Sequence, residues 1–235
     1  MMTNNGYFNT PPVVKNLIIA NAVCLLALYI LPSGLSAAME SHMALFFWQS
    51  RFFHSYQIVT HMFLHANFMH FFMNMFALWM FGRSLEYELG SRRFLIYYMV
   101  CGIGAALMQL GVNWIEISRI NEAVALAAQG SDPMLHMQLE SLLNAHLSVP
   151  MVGASGAVFG VLLAFGMMHP NDRIYLMFFP VPIKAKWFVL IYGAIELFSG
   201  VSGRMDNVAH FAHVGGMLWG FLLLRYWKRT HKIYY

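Results

Sequence analysis

The chain has 235 residues, of which 59% are hydrophobic and 10% charged, with a mean hydropathy of +0.57 and a formal net charge of +4. Soluble domains carry about 25% charged residues, so this composition excludes an ordinary soluble enzyme and describes a polytopic membrane protein. Its two cysteines, Cys24 and Cys101, lie in apolar runs without metal-ligand spacing and read as packing residues.

In chain order, six runs approach the roughly 20 residues that a helix needs to cross a bilayer. They are Val14–Leu31, His61–Phe81, Phe94–Trp114, Val149–Met168, Lys186–Val201 and Asn207–Tyr226. The predicted fold is all-α: a single six-helix membrane domain over 1–235, with a short N-terminal segment at 1–13 and a basic tail at 227–235. A polar, proline-containing start precedes the first run, whose only positive flank is Lys15. It therefore reads as an uncleaved signal anchor despite Ser36-Ala37-Ala38. The loop from Ser33 to Gln57 holds Phe46, Phe47, Trp48, Phe52 and Phe53, a pattern suited to lying in the membrane interface and shaping a lateral entrance. The loop from Ile115 to Ser148 reads as an extramembrane hairpin, with helical pieces Asn121–Gln129 and Met134–Ala145 split by Gly130-Ser131-Asp132-Pro133. Between His169 and Ala185, Pro170, Pro180 and Pro182 forbid one continuous helix.

An even number of spans puts both termini on one side. On that side fall all but three of the 14 lysines and arginines, leaving Arg51, Arg119 and Arg204 opposite. The bias predicts cytoplasmic termini in the cell (plasma) membrane and a site opening to the outer face. Arg225 to Lys232 would rest against anionic lipid, which accounts for the positive charge without nucleic acid.

Three polar constellations interrupt these runs. Gly153-Ala154-Ser155-Gly156 opens the fourth, Ala212-His213-Val214-Gly215-Gly216 lies in the sixth, and His70 with Asn74 shares one helical face in the second. At 1.5 Å per residue, Ser155 lies ~7 Å, His213 ~10 Å and His70 ~15 Å from the outer ends of their spans, so all three belong to the same half of the membrane. Gly156 with Gly160, and Gly216 with Gly220, make small-xxx-small faces that let two helices approach closely. A serine hydroxyl is a poor nucleophile at neutral pH and needs a base. His213 supplies it. Asp206 stands two turns above His213 and Glu196 sits on another helix, so the expected catalytic unit is a dyad. Phe159, one turn after Ser155, is placed to stack on the His213 ring. His70, Asn74 and the Ser155 N–H are candidate oxyanion donors.

In this order, His-xxx-Asn, Gly-x-Ser-Gly and Ala-His-xx-Gly-xxx-Gly resemble the rhomboid family of intramembrane serine proteases over nearly all of Leu17 to Tyr226. The resemblance implies Ser155 as nucleophile, His213 as base, an oxyanion hole of His70, Asn74 and Ser155, and no metal or cofactor. It also implies transmembrane protein substrates with a single span, which enter laterally from the lipid past the fifth span and a capping loop. Many members carry Trp-Arg shortly before the second span, where this chain has Tyr56-Gln57, so a structural role for that arginine does not carry over.

His61 and His65 read as mouth-lining residues that bind water or the first loop, and with Asn67 they would form a hydrated outer cavity. Glu196 reads as a gate or water-cavity hydrogen bond, and His210 competes with His213 for the role of base. Close-packed glycines around the site would favour a small residue before the scissile bond. Two other readings stand beside proteolysis. One is a metal-binding membrane protein using His61, His65, His70, His210 and His213, although no His-Glu-xx-His is present. The other is a relative that binds transmembrane clients without cutting them.

Overall fold

The computed structural model describes residues 10–176, 179–202 and 209–233. Residues 1–9 of the N-terminal segment, Arg204, Asp206, the predicted start of the sixth span at Asn207 and residues 234–235 of the tail lie outside the described residues.

Helix α1 (Pro12–Ile30) begins on a proline, whose missing N–H is not needed in a first turn. The free N–H groups of Val13 and Val14 donate to the two carboxylate oxygens of Glu86, at 3.0 and 2.8 Å, and Ser91 Oγ donates to the same side chain at 2.7 Å. A buried carboxylate thus caps the positive end of α1 from a distant part of the chain. After α2 (Ser33–Met43), the first loop turns inward. Ala44, Leu45, Phe46 and Phe47 are buried while Trp48 is exposed, so Phe46 and Phe47 are core residues of the loop and not interfacial side chains as expected. The fully buried side chain of Gln57 holds the loop. Its Oε1 accepts from the N–H groups of Phe46 and His54, and its Nε2 donates to the carbonyls of Ser41, His42 and Phe52.

The second predicted span is not one helix. It comprises α3 (Gln57–Thr60), a 3-10 turn at His61–Phe63, an extended break and α4 (Phe68–Ala77), followed by a π turn at Leu78–Gly82 and α5 (Arg83–Leu89). Asn67 causes the restart: its Oδ1 accepts the His70 N–H at 2.8 Å, satisfying a donor that the first turn of α4 leaves free. Gly90, at φ 77°, then turns the chain into α6 (Ser91–Ala128). Thirty-eight residues make a rod of about 57 Å, far longer than a hydrocarbon core of about 30 Å. The expected extramembrane piece at Asn121–Gln129 is therefore an uninterrupted continuation of the third span. Asp132 caps the returning helix α7 (Pro133–Leu147), accepting from Met134 and Leu135 N–H.

Helix α8 (Ser155–Met168) begins at Ser155 and not at Val149, because Val149–Gly153 runs extended to reach the first loop. Nine of its 14 residues are buried, and α4, α5, α6, α9 and α10 surround it. A helix apolar on every side belongs at the centre. The proline-rich connection expected to be irregular contains a short antiparallel hairpin of β1 (Arg173–Leu176) and β2 (Phe179–Lys184), with Arg173 opposite Lys184 and Ile174 opposite Ile183. This is a small departure from an all-α chain; proline is tolerated because each strand of a two-stranded hairpin is an edge. Helices α9 (Ala185–Ser202) and α10 (His210–Arg229) complete the bundle. Among the described residues, α1, α6 and α9 are long and apolar enough to cross a membrane, and α8 is a shorter apolar helix.

Replacing Gln57 with leucine strands the Phe46 and His54 N–H groups in a dry interior, at an expected cost of about 1–3 kcal/mol. Unfolding of the purified variant in detergent should show this loss, together with earlier proteolytic cutting in the Ala44–Tyr56 loop.

Candidate active site

Ser155 owes its position to the extended segment before it. Leu45 and Met151 exchange N–H···O bonds at 2.8 and 2.9 Å, and the Gly153 N–H donates to the His61 carbonyl at 2.9 Å. Gly153 then adopts φ 128°, a region that side-chain-bearing residues rarely occupy. Space demands glycine as well, since a Cβ there would lie 2.8 Å from His70 Cε1 and 2.9 Å from Nε2. The chain then enters α8 with Ser155 in its first turn, half-buried, its N–H free of an intrahelical partner.

The other half of the site depends on glycine packing. A Cβ on Gly216 would overlap the backbone carbonyl of Gly156, and one on Gly160 would lie 3.1 Å from the Gly216 carbonyl, so α8 and α10 touch backbone to backbone. Tyr97 on α6 donates its hydroxyl to the Gly160 carbonyl at 2.7 Å and fills the space beside Gly220. His213, three residues before Gly216, therefore faces α8. Its Nε2 lies 2.8 Å from Ser155 Oγ, and Phe159 stacks on its ring with centroids 4.2 Å apart and planes 7° from parallel. These same glycines are occupied by neighbouring helices and line no open subsite, so the expected preference for a small substrate residue cannot rest on them.

A carboxylate does reach the histidine. Glu196 Oε2 lies 2.8 Å from His213 Nδ1 and 2.6 Å from His210 Nδ1, with all three side chains buried. The expectation that no carboxylate orients His213 is thereby corrected. Being on another helix was no obstacle, because Gly193 and Gly200 on α9 let α10 approach on both sides of Glu196: a Cβ on Gly193 would lie 2.9 Å from Met217 Cε, and one on Gly200 3.2 Å from His210 Cβ. The spacing Gly-xx-Glu-xxx-Gly was the signal in the sequence that could have shown this, since it puts all three residues on one helical face. The ligand atoms of Glu196, His210 and His213 lie within 4.8 Å of one another, a grouping that invites a metal ion. The two contacts to Oε2, however, have hydrogen-bond lengths, whereas ligands around a tetrahedral zinc ion stand about 3.3 Å apart.

His70 is half-buried over Gly153, close to the serine. Asn74 is buried one turn on, and its Nδ2 donates to the His70 carbonyl at 2.8 Å, leaving one amide hydrogen for another acceptor. His61 and His65 are both buried, and His65 helps line a cavity with Ser36, Glu40, Leu64 and Val152. The His61 Nδ1–H donates to the Gln57 carbonyl at 2.9 Å, at the end of the first loop, while His65 packs edge-on against His70 and Phe71. Asn67 is engaged as a helix cap, and neither it nor His61 lines that cavity, so of the three only His65 reaches it.

A family model of the Rhomboid domain matches residues 53–229, which include all of these side chains. The chain belongs to the rhomboid family. This rhomboid is 33% identical over 165 residues to Rhomboid protein 1, mitochondrial, of Saccharomyces cerevisiae, covering 70% of this chain and 40% of that protein. It is 30% identical over 176 residues to Rhomboid-like protein 11, chloroplastic, of Arabidopsis thaliana, covering 72% and 51%. To Rhomboid protease AarA of Providencia stuartii it is 29% identical over 185 residues, covering 73% and 56%. The chain spans about half the length of the curated relatives it matches.

Close packing of the rhomboid helices makes a graded prediction. Gly216→Ala should destabilise the fold by about 1–3 kcal/mol or more, because the new methyl meets rigid backbone. Gly111→Ala, where a Cβ meets nothing within 4 Å, should be neutral or stabilising. Unfolding in detergent of the two variants side by side checks the contrast.

Proposed function

We propose that this rhomboid is an intramembrane serine endopeptidase that cleaves single-span membrane proteins in or near their transmembrane segments. The observation that carries the reading is the 2.8 Å contact between Ser155 Oγ and His213 Nε2, with the ring held flat by Phe159. In the proposed reaction His213 Nε2 takes the hydroxyl proton as Ser155 Oγ attacks the scissile carbonyl carbon. The negative charge that develops on the carbonyl oxygen is met by the Ser155 N–H at the positive end of α8, with His70 and the free hydrogen of the Asn74 amide as further donors. Proton return from His213 to the leaving amine gives an acyl-enzyme, and water, activated by the same imidazole, releases the second product. A substrate helix must unwind locally before it is cut, since its carbonyls are otherwise engaged in its own hydrogen bonds.

The topology proposed here has six spans: α1, the interrupted segment from α3 to α5, the lower part of α6, α8, α9 and α10. Both termini face the cytoplasm, and the site opens to the outer face of the plasma membrane. The lysine and arginine bias supports this orientation. Reporter fusions after Lys232 should be active only when the reporter functions in the cytoplasm; activity of an exported-only reporter would reverse the assignment. Substrate enters from the lipid, between α9 and its neighbours.

Cleavage of a single-span substrate by the purified protein in detergent tests the reaction. Ser155→Ala and His213→Ala should each lose about 10³-fold or more of the turnover, as expected when either member of a nucleophile–base unit is removed. A chelator should change nothing, and a fluorophosphonate should label the wild type at Ser155. Cutting that survives Ser155→Ala would end the serine mechanism; loss with chelator alone would favour the histidines as metal ligands. Wild-type protein that binds substrate but neither cuts nor takes the label would be a client-binding relative.

A further inference from the structure

We propose that Glu196 is a positioning residue for His213 and that His210 holds Glu196 in place, so that the serine and its base form the working end of a chain running Ser155, His213, Glu196, His210. The proposal rests on the reading of Ser155 and His213 as nucleophile and base, and it replaces a two-residue unit by a buried relay contributed by three helices.

The argument starts from what a carboxylate can do. An ionised Glu196 only accepts hydrogen bonds, so its contacts of 2.8 and 2.6 Å place a proton on Nδ1 of both His213 and His210. With Nδ1 protonated, neutral His213 presents a bare lone pair at Nε2, the atom 2.8 Å from Ser155 Oγ. The opposite tautomer would donate toward the serine and have no capacity to take its proton. Glu196 thus selects the one form of the imidazole that works as a base, and its negative charge is complementary to the imidazolium that forms when the proton is transferred. Phe159 fixes the tilt of the ring and Glu196 fixes its rotation about the tilt axis.

His210 explains why the carboxylate stays where it is. Its ring lies edge-on to His213, at 89° between planes, and approaches the same oxygen from a different direction. Two donors converging on Oε2 leave Glu196 little rotational freedom. The flanking glycines, 193 and 200, make room on α9 for the Met217, His210 and Phe211 side chains of α10 on each side of it. An ionisable side chain inside a membrane bundle is costly unless partnered and marks function by default; here both its partners are imidazoles, and one of them touches the nucleophile.

The test compares Glu196→Gln, Glu196→Asp and Ser155→Ala in the cleavage assay, with unfolding in detergent measured for each and a chelator in parallel. Glutamine keeps the shape, and its carbonyl oxygen in the place of Oε2 can still accept from both Nδ1–H groups, but it carries no negative charge to complement the imidazolium that forms as the proton is transferred. We expect kcat to fall by about 10- to 10³-fold, KM to stay within about twofold and the unfolding midpoint to stay near that of the wild type, with aspartate recovering at least about tenfold over glutamine. His210→Phe, which removes the second donor, should lower kcat by about 3- to 30-fold, and His210→Asn, whose Nδ2 falls near the imidazole Nδ1, should restore it. If Glu196→Gln does not fold, the His210 pair carries the test in the same way. The proposal is overturned if Glu196→Gln, or His210→Phe in its place, keeps the wild-type kcat. It is equally overturned if activity is lost only in step with stability, if KM alone changes, if aspartate is no better than glutamine, or if a chelator abolishes the wild-type activity. Residual cleavage in Ser155→Ala would instead defeat the underlying serine reading. A dead Ser155→Ala beside a fully active Glu196→Gln defeats the relay alone.

Discussion

Backbone contact between α8 and α10 is the constraint on which the site depends. Lipid supplies little hydrophobic drive for helices to associate, so association falls to close packing of small residues. Here that packing places Gly216 directly on the backbone of Gly156. Ser155 is the neighbour of one contact residue and His213 stands less than a turn from the other. A 2.8 Å hydrogen bond between side chains on different helices is therefore set by rigid backbone, not by the adjustment of long flexible stems. Short side chains on touching helices have few ways to miss each other.

The same economy governs the polar groups elsewhere in the interior. Glu86 caps α1 from α5, Gln57 gathers five backbone groups of the first loop, and Tyr97 bonds the Gly160 carbonyl from α6. Glu86 and Gln57 satisfy backbone groups left open in the elements that carry them, and Tyr97 adds a second donor to a carbonyl inside α8. Such groups are expensive when unpaired in a medium of low dielectric constant, so each junction tolerates only one arrangement. The first loop, Gln57 and the His61 carbonyl thereby form a continuous support that ends on Gly153 N–H, two residues from Ser155.

Apolar length and glycine spacing made the helical membrane bundle legible, and the small-xxx-small faces at Gly156 and Gly216 pointed to the pair of helices that bring Ser155 and His213 together. Phe159 followed from the helical repeat. What stayed hidden was local competition. Asn67 lies inside an apolar run, and hydropathy has no way to register that its side chain will cap a new helix and divide the second span. Nor does span length reveal that Val149–Gly153 will pair with the first loop, which moves the start of α8 to Ser155. Glu196 sits on a different helix from His213, and its reach depends on how closely α9 approaches α10 through Gly193 and Gly200. The glycines at 156 and 216 were read as close-packing signals, and those at 193 and 200 carry the same physical meaning.

Helix α9 differs from its neighbours in how little of it is enclosed: of its described side chains only Ala185, Val189, Glu196 and Ser199 are buried, while Trp187, Leu190, Ile191, Ile195 and Phe198 face outward. The carboxylate that touches the histidine thus rides on a helix most of whose described side chains are not buried. Any sideways displacement of that rod by more than a hydrogen-bond length withdraws Glu196 from both imidazoles, while Ser155 and His213 stay on the rigid α8–α10 pair. The contact between Glu196 and His213 therefore exists only while α9 is seated against α10.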